Sequence, residues 1–89
     1  MKAIVTVNGV DRVGIIAAVS AKLAGLNINI DDIKQTTLQD QFNMIMMVDI
    51  SNCEISFMDI IKELNLLSEE IGMDIRMRRK DIFDAMQNI

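Results

Sequence analysis

The chain has 89 residues and a net charge of −4, with no His, no Trp, no Tyr, no Pro and one Cys. That length is one domain, and hydrophobic residues at 51% are enough to build a core. A lone Cys53 and no His exclude an internal disulfide framework and a zinc site. The acidic balance and the lack of stacking aromatics argue against nucleic acid. Ala3 to Val7 is too short an apolar run for a membrane span or a signal peptide, so a cytoplasmic, membrane-free location is expected.

In chain order, Ala3 to Val7 reads as a first strand, bounded by Asn8-Gly9. Asp11 is the expected N-cap of a first helix, whose apolar stripe is Ile15, Ile16, Val19 and Leu23. That helix should stop between Gly25 and Asn27, because Gly and Asn best tolerate a left-handed helix end. Asn27 to Leu38 reads as a second strand with a broken alternation. Ile28 and Ile30 share one face and Ile33 falls on the other, and a bulge near Asp31-Asp32 would reconcile them. Leu38 to Gln41 is the expected hairpin turn. Phe42, Met44, Met46, Val48 and Ile50 then alternate strictly as a third strand.

Ser56 with Asp59 three residues on resembles a capping box for a second helix. Its apolar face is Phe57, Ile60, Ile61, Leu64, Leu67 and Ile71, and Gly72 ends it. Met73, Ile75 and Met77 alternate with charged residues as a fourth strand. A helical tail follows over 81–89, with Ile82, Phe83, Met86 and Ile89 as its apolar side. So short a helix is marginal alone, so the tail should pack on the domain or on a neighbouring copy.

The order β-α-β-β-α-β specifies an α+β, ferredoxin-like sandwich. We expect a four-stranded antiparallel sheet in the order 4-1-3-2, with both long helices on one face. The domain covers 1–80, and 81–89 is its helical tail. The other sheet face carries Ile4, Ile45 and Met47, which points to a homodimer or a higher homo-oligomer.

No catalytic constellation is present: Cys53 has no His to activate it, and Asp31-Asp32 alternate across a strand. The expectation is a non-enzyme with no cofactor and no metal. Arg76, Arg78, Arg79 and Lys80 form the one basic run, read as a solvated strand end. The Met-rich composition reads as gap filling in a core poor in aromatics. Gly14 stands where a helix start offers unpaired amides to an anion, and a Gly lets a ligand approach the backbone.

Asp11-Arg12-Val13-Gly14-Ile15-Ile16, then Leu23-Ala24 and Asn29-Ile30, resembles the signature of ACT domains. The order of elements matches from Lys2 to about Arg79, and Val10 to Ile30 is the specific stretch. Val13 stands where that family usually has Pro, and Asn27 where it usually has Gly. The resemblance implies a stand-alone regulatory domain that binds a small metabolite, chiefly an amino acid, at a homodimer interface. The alternative is a ligand-free oligomerisation module, or one that docks onto a regulated protein. The implied ligand-binding residues are Asp11, Gly14, Ile15 and Asn29, with Asn29 supplied by a partner copy. On that reading Gly14→Val would abolish ligand binding and leave the dimer largely intact, because a first-turn position usually tolerates a side chain on the solvent side. A small enzyme on the same fold, such as an acylphosphatase, would need a Gly-x-Val-Gln-Gly loop that this chain lacks.

Overall fold

The computed structural model describes the backbone from Met1 to Gln87 and the side chains as far as Ala85. The elements are β1 Lys2–Val10, α1 Ile15–Gly25, β2 Asn29–Leu38, β3 Gln41–Asp49, α2 Phe57–Ile71, β4 Asp74–Arg79 and α3 Lys80–Gln87. The strands form one sheet in the order β2-β3-β1-β4, and every neighbouring pair is antiparallel. This is the expected topology and strand order.

Alternation along β1 and β3 places the core. Val5 lies between Met46 and Met77, and Val7 between Met44 and Ile75. Side chains directly opposite one another share a face, and all of these are buried. They form one cluster with Ile15, Val19 and Leu23 of α1 and Ile60, Leu64 and Leu67 of α2. Both long helices therefore cover the same sheet face. Phe57 and Ile61 pack against the rim of that cluster. Met73 fills the space over Gly9, where a β-carbon would stand 2.7 Å from its Sδ.

The second strand carries its bulge where parity required one. Ile30 pairs with Val48, the register then shifts, and Asp32 pairs with Met47. Ile33 consequently faces Met46, so both isoleucines point to the helix side. Beyond the bulge, every residue of β2 is exposed, because this edge strand runs past the cover of α1.

The helix ends follow local chemistry in three of four cases. Ser56 caps α2, its Oγ accepting from the Asp59 N–H at 3.1 Å. Gly72 ends α2 at φ 67°, and Asn27 takes φ 62° after α1. The start of α1 departs from expectation. Asp11 is not its cap: the helix begins four residues later at Ile15, the N-cap is Gly14, and no side chain caps it. The Asp11 N–H instead donates to the Asp40 carbonyl at 2.7 Å, which ties the loop to the β2–β3 hairpin.

On the open face, Ile4 pairs with Met47 and Arg78. It is 7% exposed yet lies outside the main cluster. α3 lies against β1 and β4. Its Phe83 is half-buried and its Ile82 is exposed, so the tail packs through one of these two side chains. The expected apolar positions Met86 and Ile89 fall outside the described side chains. Among the described residues, no helix is long and apolar enough to cross a membrane.

Candidate functional site

The turn from Asp11 to Gly14 leads from the end of β1 into α1. Gly14 adopts φ 94° and ψ 0°, a left-handed conformation that an L side chain resists. Nothing lies within 4 Å of where its β-carbon would be. The Gly14 carbonyl accepts from the Ala18 N–H at 2.9 Å, which starts the helical ladder. With no capping side chain, the first-turn amides of α1 keep their hydrogen-bonding capacity and the partial positive charge of the helix end.

A hollow of about 230 Å³ opens beside this turn, lined by Arg12, Val13, Gly14, Ile15, Glu70 and Ile71. The last two come from α2, which runs antiparallel to α1 and ends where α1 begins. Arg12 Nη2 would lie 3.1 Å from a β-carbon on Gly72, so the guanidinium sits over the C-terminal end of α2. That helix end carries partial negative charge and favours a cation. The hollow thus has amide donors on one wall and a carboxylate, Glu70, on the other.

Asp11, Gly14 and Ile15 come together at this end of the sheet, with the Ile15 side chain turned into the core. Asn29 does not join them. It opens β2 opposite Asp49, which pairs in turn with Lys2 at the start of β1. The length of β1 separates the two groups by about 26 Å at the usual rise per residue. Arg12 and Glu70 were not singled out for this site in the sequence. The signal for Glu70 was available in the topology, because a βαββαβ fold ends its second helix beside the start of its first.

A network of charges surrounds Asn29. Its Nδ2 donates to Asp31 Oδ1 at 2.7 Å, which leaves Asn29 Oδ1 without a partner among the described residues. Lys2 Nζ pairs with Asp31 and lies 3.3 Å from Asp49 Oδ2. Asp49 also accepts from the Ser51 hydroxyl and from the Ser51 N–H at 2.9 Å. The Ser51 bonds, and then Lys2, hold the Asp49 carboxyl well below the usual carboxylate range. Lys2, and then Asn29, lower Asp31, while Asp31 and then Asp49 raise Lys2. No group of three His, Cys, Asp or Glu suited to a metal ion occurs among the described residues.

The fold and this turn define a class. The ACT domain family model matches residues 2–78. A UPF0237 protein of Methanopyrus kandleri is 43% identical over 88 residues, covering 99% of this chain and 98% of the relative. Among solved structures, an ACT domain protein from Streptococcus pneumoniae superposes with a TM-score of 0.82 at 40% identity, over 93% of each chain. The regulatory subunit of aspartate kinase from Thermus thermophilus, in a ligand-free form, gives a TM-score of 0.66 at 26% identity, over 86% of this chain and 50% of that one. The chain belongs to the ACT domain family.

Proposed function

We propose that this protein is a stand-alone regulatory domain that binds an amino acid at a homodimer interface. The observation that carries the reading is the uncapped, glycine-led start of α1 beside a hollow bearing Glu70. An α-carboxylate on the Gly14 and Ile15 amides would be stabilised by the helix end. The α-ammonium would then find Glu70 or Asp11 as its acceptor. The neighbouring fold of an aspartate kinase regulatory subunit supports a regulatory role of this kind.

The distant Asn29 supports the dimer. β2 is an edge strand, with no further strand beside it among the described residues. Pairing it antiparallel with the same strand of a second copy, centred on Ile33, sets Asp32 against the partner's Lys34. With the extra residue of the bulge passed over, it also sets the partner's Asn29 against Thr36, near the hairpin that holds Asp11. No like charges oppose each other in that register, so cross-strand pairs favour it. Each site would then draw its amides from one copy and its amide side chain from the other.

Melting-temperature shifts with a panel of amino acids test this reading, followed by calorimetric titration of any amino acid that stabilises the protein. Asn29→Ala and Glu70→Gln should each weaken binding by about 1–2 kcal/mol, the scale of one lost hydrogen bond. If no amino acid shifts the melting temperature, the reading fails and the ligand-free oligomerisation or docking module takes its place.

A further inference from the structure

The basic run Arg76, Arg78, Arg79 and Lys80 has no part in the site above, although it holds four of the nine basic residues of an acidic chain. β4 is the second edge strand of the sheet, with no further strand beside it among the described residues. Along its outer side runs a groove of about 220 Å³, lined by Ile61, Leu64 and Asn65 of α2 and by Ile75 to Arg78 of β4. Pairing with β1 fixes the faces of β4. Ile75 and Met77 lie opposite Val7 and Val5 on the helix side, and Arg76 and Arg78 lie opposite Thr6 and Ile4 on the open side. Arg76 pairs with Asp74, Arg79 with Asp81 and Lys80 with Asp84. Arg78 is half-buried and makes no ion pair among the described residues.

We propose that the β4 edge docks an extended segment of a partner protein in which acidic and aliphatic residues alternate. A strand added to this edge gains main-chain hydrogen bonds, and its side chains alternate between the two faces. Those opposite Ile75 and Met77 meet the α2 side of the groove, which suits aliphatic groups. Those opposite Arg76 and Arg78 meet guanidinium groups, which suit carboxylates. A second copy of this chain fits the edge less well than an acidic strand. One of the two longest antiparallel registers of β4 with itself opposes Arg76 to the partner's Arg76 while pairing Arg78 with the partner's Asp74, and the other opposes Arg76 to the partner's Arg78 twice; directly opposed like charges destabilise a pair. The same arginines that repel a copy select an acidic strand.

The test uses the full chain and short synthetic peptides of alternating glutamate and valine, or of alternating lysine and valine. Binding is mapped by backbone amide chemical shifts. The glutamate peptide should bind and move the amides of β4 and of the groove-facing side of α2, while the lysine peptide should not bind. The double variant Arg76→Glu, Arg78→Glu should lose at least about tenfold in affinity for the glutamate peptide and gain affinity for the lysine peptide. That gain shows that the variant is folded and the edge intact. The proposal is overturned if the glutamate peptide does not bind, if the shifts fall on β2, or if charge reversal leaves its affinity unchanged. Tighter binding of a single-stranded oligonucleotide to the same arginines would also overturn it, as would light scattering that shows β4-dependent self-association. These outcomes are independent of whether an amino acid binds at Gly14.

Discussion

Gly14 carries the α1 turn at φ 94° with open space around its missing side chain. Room is therefore not what requires a glycine there; backbone conformation is. The premise that this first-turn position tolerates a side chain does not survive this geometry. A β-branched residue in the left-handed region costs about 1–2 kcal/mol, and more where its own side chain crowds the backbone. We expect Gly14→Val to lower the denaturation midpoint in urea, and Gly14→Asn to lower it less, since Asn tolerates this region better. Equal midpoints for the wild type and the Val variant would contradict the assignment. Gly14 was legible as a landmark, because a glycine at a helix start stands out. Its dihedral angles were not, because nothing local distinguishes a glycine needed for access from one needed for a left-handed turn. Asp11 misled for a related reason. An Asp before an apolar stripe is the usual cap signal, and here a turn intervenes and moves the helix start to Ile15.

At the level of elements, the end of the sheet near Asn29 is held by charge. Lys2, Asp31 and Asp49 join β1, the bulge of β2 and the end of β3. Asp49 has its carboxyl held below the ordinary value of 3.8. A depressed carboxylate stabilises the fold above that ordinary value and loses its contribution as pH falls toward the folded-state value. Lys2 has the opposite sense: its contribution is present below 10.5 and fades as pH rises through its raised value. Asp49→Asn should therefore flatten the decline of melting temperature below about pH 4, a range set by the ordinary carboxylate pKa. Parallel acid limbs in the two proteins would remove Asp49 from that role. The bulge was readable because Ile30 and Ile33 could not share a face without it. The ion network was not, since it depends on which strand ends the topology brings together. Lys2, Asp31 and Asp49 are far apart in the chain.

For the whole molecule, the sequence specified topology well. Strict alternation at Phe42 to Ile50 and two helical stripes determine which face each strand turns inward. Assembly was less legible, because edge exposure is a property of strand order rather than of any one strand. β2 and β4 are the two edges, and their charges differ. β2 can meet its own copy without opposing like charges, whereas β4 cannot in its longest registers. We expect light scattering across a micromolar dilution series to give twice the mass of one chain. A single-chain mass throughout would rule out the β2 pairing.

The separation of Gly14 from Asn29 along the full length of β1 has a thermodynamic consequence. If each pocket is completed only by a second copy, every dimer holds two equivalent pockets, and saturation requires one ligand per chain. Ligand binding and dimerisation then share one free energy, because whatever binds the paired state more tightly than the single chain shifts the equilibrium toward pairing. Apparent affinity should fall as the protein is diluted below its own dissociation constant, and ligand should in turn hold dilute chains together. The protein would then report the product of two concentrations, the metabolite's and its own.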